Sequence, residues 1–198
     1  SGTTALDGGG VTTTGDQTYT GAVTLGADAD LSSGTGAINF GATVDGDGVQ
    51  ARSLRLTSGS VAGQNFVAAV GGTHALDILR IESAGVVTQG GSAPIKVAKL
   101  AIKSAGNVTL SHAGNDVDVL AALLSGNAAL VFVDADGLEI GSIDSAALQI
   151  VGISDGAGTS DVSITVGGAL TQAVASPILL DGSLTLDTTA YNADDVAL

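Results

Sequence analysis

Apolar and polar positions alternate in short runs along nearly the whole chain, and glycine-, serine- and aspartate-rich corners separate the runs. Leu54/Leu56, Leu79/Ile81, Leu100/Ile102, Leu138/Ile140, Leu148/Ile150 and Leu184/Leu186 are all pairs spaced by two. Period two is a strand signature: it buries these pairs on one face and turns Arg55, Arg80, Ala101, Glu139, Gln149 and Thr185 to the other. The pattern predicts strands near 22–25, 37–40, 43–44, 53–56, 65–70, 78–81, 86–89, 95–102 and 107–110. Further strands are expected near 117–120, 128–134, 138–143, 148–153, 162–166, 169–172, 178–180 and 183–187. One run, Val117–Leu124, is rich enough in Ala and Leu to suit a helix. Eight residues bounded by Asn115-Asp116 and Ser125-Gly126 are too few to nucleate one alone, so it too reads as strand.

The runs repeat. Leu54-Arg55-Leu56-Thr57-Ser58-Gly59 returns as Leu79-Arg80-Ile81-Glu82-Ser83-Ala84-Gly85 and again as Leu100-Ala101-Ile102-Lys103-Ser104-Ala105-Gly106, at offsets of 25 and 21 residues. A longer echo links Gly2–Asp7 to Gly72–Asp77 at an offset of 70. Repetition at 20–25 residues marks a solenoid, in which each copy buries its apolar face only by stacking on its neighbours. The expected fold is all-β: a right-handed parallel β-helix of roughly nine coils, about 20–23 residues each, forming one domain over residues 1–198. In register, Ser58, Ser83 and Ser104 form a hydroxyl ladder at one corner, and Gly59, Gly85 and Gly106 keep a Cβ out of it. No polar cap is evident at either end, so the solenoid is expected to continue, to abut another copy or to be capped from outside.

Composition fits a narrow stacked interior. Hydrophobic residues make up 44% of the chain but aromatics only 3%, so small and branched aliphatics must fill every layer. A mean hydropathy of +0.44 argues against disorder despite 30 glycines. With no Cys there is neither disulfide nor thiolate chemistry. The chain also lacks Met and reads as a cut from something longer. No apolar run reaches the roughly 18–20 residues that span a bilayer.

The net charge of −14 disfavours nucleic acid as a partner. Its distribution is uneven: all six cations, Arg52, Arg55, Arg80, Lys96, Lys99 and Lys103, fall in the middle third beside only Asp77 and Glu82. Stacked in register, Arg55 and Arg80 share an outer face with Lys99 and Lys103 nearby. Like charges so placed need compensation, which Glu82 and Asp77 can supply. The alternative is an anionic partner: an acidic glycan, a lipopolysaccharide phosphate or the acidic arm of another copy.

Val11-Thr12-Thr13-Thr14-Gly15-Asp16-Gln17-Thr18-Tyr19-Thr20-Gly21-Ala22-Val23-Thr24-Leu25-Gly26-Ala27-Asp28, followed by the Gly-x-Ile-x-Phe of Gly36–Phe40, resembles the repeats of filamentous-haemagglutinin-like exoproteins of Gram-negative bacteria. Ser104–Leu110 and Ala135–Leu138 look like later variants of the same repeats. The resemblance implies a long right-handed β-helix, exported across the outer membrane by a two-partner or autotransporter route and displayed at the cell surface as an adhesin stalk. The amino-terminal secretion domain of that family has no counterpart in these residues.

Chemistry is sparse. His74 and His112 lie in no metal or protease motif, and no G-x-S-x-G elbow occurs. Four D-x-D pairs read as solvated turn acids; as a calcium site, Asp134 and Asp136 with Glu139 form the best candidate. No other cofactor is implied. The expected function is structural and adhesive: a rigid stalk that presents weak, multivalent surfaces to glycans or proteins of host or neighbouring cells. Two rivals are a self-assembling filament or coat, built from copies end to end, and a β-helix polysaccharide-active enzyme using Asp134 or Asp136.

Overall fold

A computed structural model describes residues 2–59, 61, 63–145, 148–156, 158–188 and 196–197. The chain winds as a parallel β-solenoid. Sheet A pairs Thr4–Leu6, Val23–Leu25 and Val44–Gly46, and single bridges continue it through Val70 and Ile95. Sheet B runs from Gly10–Thr12 through Ala29–Ser32, Leu54–Ser58, Leu76–Ser83, Lys96–Ser104 and Asp116–Leu124 to Leu138–Ile140 and Leu170–Gln172. Sheet C stacks eight strands: Gln17–Tyr19, Ile38–Phe40, Gln64–Phe66, Val87–Gln89, Val108–Leu110, Leu130–Asp134, Val162–Val166 and Leu184–Asp187.

Eight rungs at about 4.8 Å give a rod roughly 35–40 Å long. The count is close to the expected nine, and two departures from a uniform coil absorb the difference. The first is the corner between sheets A and B. It takes the seven residues 47–53 in the second coil and five, 71–75, in the third, then vanishes where Ile95 runs straight into Lys96–Ser104. The second is an insertion in the sixth coil.

The repeated phrase sets the register. Leu54, Leu79 and Leu100 stack, as do Ser58, Ser83 and Ser104. The serines line one corner in register as expected, and hydroxyl contact joins the first two: Ser58 Oγ and Ser83 Oγ lie 3.2 Å apart, while Ser83 and Ser104 each donate to a carbonyl of their own corner, Gly85 and Gly106. Glycine is needed here for close approach. A Cβ on Gly106 would stand 2.3 Å from the Gly85 carbonyl carbon, and one on Gly59 would stand 2.2 Å from the Gly34 oxygen. The 70-residue echo is not a structural repeat: Thr4–Leu6 belongs to sheet A, whereas Leu76 opens a strand of sheet B.

Aliphatics from all three sheets fill the interior. The one aromatic stack among the described residues crosses three coils, with Tyr19 on Phe40 at 5.2 Å and Phe40 on Phe66 at 5.7 Å between ring centres. Buried amides close the corners beneath these layers. Gln64 Nε2 donates to the Glu82 carbonyl at 2.9 Å, and Asn115 Nδ2 donates to those of Leu110 and Val133 at 3.1 and 2.9 Å. One local turn is used twice on different sides: in Val87–Ile95 and in Leu170–Ile178 the Gln amide donates to the carbonyl four residues on, Ala93 or Ser176. Asp116–Leu124, the run that rivalled a helix, is a nine-residue strand.

The insertion corrects the sequence reading of strands at 138–143 and 148–153. Val119 and Leu120 pair with Glu139 and Ile140, whereas Ala122 and Leu123 pair with Ile153 and Ser154. Residues 142–152 therefore interrupt a single strand. Their eleven residues account for a coil of 32 residues between Leu138 and Leu170, where the two coils before it have 20. Ser142–Ser145 and Leu148–Val151 pair antiparallel as a hairpin outside the solenoid. The glycines at its base, Gly141 and Gly152, are joined by a 2.9 Å hydrogen bond, so the chain leaves and re-enters the coil at one point.

Candidate binding surface

The outward positions of sheet B carry the cations. Asp30, Arg55, Arg80, Ala101 and Ala121 form one column, each residue paired in register with the next. Two residues along the strand, Thr57, Glu82, Lys103 and Leu123 form a second column. Two residues the other way, Ile78, Lys99, Val119 and Glu139 form a third. The expected stacking of Arg55 on Arg80, with Lys99 and Lys103 beside them, is thus the observed register. Backbone pairing forces it, because the side chains lie on identical positions of consecutive copies.

Compensation is uneven. Arg55 donates from Nε to Glu82 Oε1 at 2.8 Å and from Nη1 to Asp30 Oδ2 at 2.9 Å, and these contacts raise its pKa above the ordinary guanidinium value. Asp30 lies in the acidic amino-terminal arm, and the sequence reading passed it over in favour of Asp77. The same 25-residue offset that links Leu54 to Leu79 also links Ala29 to Leu54, so a signal for Asp30 existed. Arg52 pairs with Asp47, whose carboxyl is held well below the usual carboxylate range by that guanidinium and by the Val49 and Gln50 amides. Lys96 lies 3.6 Å from Asp116 at the surface. Lys99 and Lys103 make no ion pair among the described residues.

Arg80 corrects the expectation of an open basic face. It is only 2% exposed, because the hairpin folds back over its column and covers Ala101 and Ala121 as well. Burial lowers its pKa, and the nearby charges of Glu82 and Asp144 oppose that shift.

The acids expected near a calcium ion are dispersed. Asp134 points inward at the end of its strand, where its Oδ1 accepts from Val117 N at 3.0 Å and its Oδ2 from Asp136 N at 3.2 Å. Burial pushes its pKa up to about 7, so at neutral pH a large share of it carries a proton. Glu139 lies outside, on sheet B opposite Val119. Among the described residues no three acids or imidazoles converge as a metal site would require. The histidines hold turns: the His74 N–H donates to Asp45, and His112 Nδ1 accepts from Gly114 N at 2.9 Å.

Two other surfaces complete the picture. A groove of about 280 Å³ at the corner of sheets A and B has Ala75 and Ala98 among its lining residues, with Asp77, Lys96, Asp116 and Asp118. The outer column of sheet C is uncharged over eight rungs: Thr18, Asn39, Asn65, Thr88, Thr109, Val131, Ser163 and Thr185. Charge chemistry is therefore concentrated on sheet B and the corners beside it. No described helix is long and apolar enough to cross a membrane. No family model matches the chain, and no curated protein or solved structure is significantly similar to it.

Proposed function

We propose that this chain is a structural and adhesive segment of a large secreted bacterial surface exoprotein, a stiff rod that holds weak, multivalent binding surfaces away from the cell. The observation that carries the reading is the sheet C ladder, which continues in register from Gln17–Tyr19 to Leu184–Asp187. Each coil touches only its neighbours, so such a ladder extends by addition, and its hydrogen bonds resist bending along the whole length. Individual contacts on the charged face of sheet B are weak. Many copies along a rod, or many rods on a cell, add them through effective concentration. The segment has a mechanical role and no catalytic one.

The test compares beads coated densely with the chain against the soluble chain, for adhesion to epithelial cells and to arrayed acidic and neutral glycans. Adhesion by beads and none by soluble chain is the expected result. Beads that fail on every surface would overturn the adhesive reading. Light scattering and negative-stain images of the same preparation report its association state. Single short rods fit a stalk, and fibres would move the reading to a self-assembling filament.

A further inference from the structure

Eleven residues added to one strand of a regular solenoid require an account, because the coil closes without them. With residues 142–152 removed, Gly141 falls opposite Ala121 and Ile153 opposite Ala122, and the coil returns to 21 residues. The hairpin folds along the outer face of sheet B. There Ile143 and Ile150 pack on Ala101 and Ala121, with Ile78, Val119 and Leu123 at the margin. This cover seals Arg80. Both terminal guanidinium nitrogens, Nη1 and Nη2, are closed off from solvent and have no hydrogen-bond partner among the described residues. Glu82 is committed to Arg55. Asp144, on the hairpin itself, acts on Arg80 through its field.

A guanidinium stripped of water and given no acceptor is strongly destabilising, because its donors lose hydrogen bonds that nothing replaces. The hairpin is held down by a small apolar cluster that works against this cost, so it belongs to the low-stability end of the molecule, where local opening is easiest. Directly below Arg80 on the next rung is Ala101, and Lys99 and Lys103 flank it on the same outward face. Strand geometry places each lysine about 8 Å from Arg80, one on either side, and the two lysines about 13 Å from each other along a small, flat floor.

We propose that the hairpin is a strap over a cryptic anion-binding site, and that Arg80, with Lys99 and Lys103, binds the sulfate or carboxylate groups of an acidic glycan when the strap lifts. The ligand class rests on the adhesive reading above; the site does not. A guanidinium forms paired hydrogen bonds to a sulfate or carboxylate, and the ammonium groups of Lys99 and Lys103 add positive charge on either side of it. An anionic ligand therefore binds the open state selectively and shifts the population toward it, and the intact strap taxes its apparent affinity. Asp144 leaves with the strap, which removes an acid from the field of Arg80.

The test uses the full chain and a variant lacking residues 142–152, with Gly141 joined to Ile153. Both are titrated with heparin and with fully desulfated, N-acetylated heparin over a range of salt. The excised chain should bind heparin at least about tenfold more tightly than the intact chain, and the desulfated polymer no better. Arg80→Ala in the excised chain should abolish most of that gain. Absence of a gain, or a gain indifferent to Arg80→Ala, overturns the proposal. A second variant avoids dependence on the excision: Ile143→Ser with Ile150→Ser in the full chain loosens the strap and should raise heparin affinity, and unchanged affinity counts against the site. Hydrogen exchange of the amides of Ser142–Ser145 and Leu148–Val151 should quicken when heparin binds the intact chain; unaltered protection also overturns the strap. Heparin binding by the excised chain alongside non-adherent beads would leave the site standing and remove the adhesive function. The reverse pattern would remove the site and leave the stalk.

Discussion

Arg55 and Arg80 stand on neighbouring rungs of one column, and Glu82, whose charge acts on both, hydrogen-bonds only the first. Glu82 Oε1 lies 2.8 Å from Arg55 Nε, and Asp30 closes on the same guanidinium from the other side at 2.9 Å. Arg80 is left beneath the hairpin with Nη1 and Nη2 unpartnered among the described residues. Two stacked guanidiniums repel, and pairing one of them with two carboxylates is how this surface tolerates the stack.

That arrangement gives a first prediction. A double-mutant cycle on Arg55→Ala and Glu82→Gln should return a coupling of about 0.5–1 kcal/mol at low salt, since the pair is partly exposed and partly screened. Urea unfolding in 0.5 M salt should reduce it further. A coupling indistinguishable from zero at low salt would show that Asp30 alone holds Arg55.

Asp134 sets a pH dependence whose sign is unusual for a carboxylate. Its folded pKa is raised to about 7, so between about pH 4 and 7 the folded chain holds a proton that the unfolded chain has lost. Stability from this group is fully present below the unfolded value and is lost as pH rises through 7. Asp155 and Asp161 act oppositely: the Asp181 and Ser160 amides, and Ser183, hold them low, and their contribution fades only as pH falls through the ordinary carboxylate range. Thermal melts from pH 5 to 8 should show a declining midpoint for the natural chain and a flatter profile for Asp134→Asn. A parallel decline in both would assign the slope elsewhere.

The aromatic stack is the interior feature most exposed to substitution. Phe40 is fully buried between Tyr19 and Phe66, and Phe40→Ala removes a ring from the middle of three coils. The expected loss is about 3–5 kcal/mol, read as a shift in urea midpoint. Phe40→Leu should recover more than half of it. If it recovers none, stacking geometry rather than filled volume sets the stability here.

Two glycines make a matched pair. A Cβ at Gly106 would lie within 2.4 Å of the Gly85 carbonyl, backbone that other coils hold in place, whereas a Cβ at Gly91 meets nothing within 4 Å. Gly106→Ala should cost more than about 2 kcal/mol, and Gly91→Ala should fall within about 0.5 kcal/mol of the natural chain. Equal effects in denaturant melts would mean that the corner at Gly106 relaxes.

The sequence alone determined the solenoid and much of its register. Recurring Leu-x-Leu/Ile phrases can stack only in step, because a slip of one residue would turn every buried side chain outward. The serine corner and the Arg55–Arg80 column followed from that step. Tertiary structure decided the rest. Alternation at 142–151 matches that of a coil strand, since period two is the same whether a strand's partner is parallel or antiparallel; only the pairing of Ala122 with Ile153 shows that the hairpin lies outside. Asp134 is one acid of a D-x-D pair in the sequence, and it became a buried group with a raised pKa because strand 130–134 turns that position inward. Arg80 is outward by its own alternation and buried by a segment more than sixty residues away, a relation that no local pattern encodes.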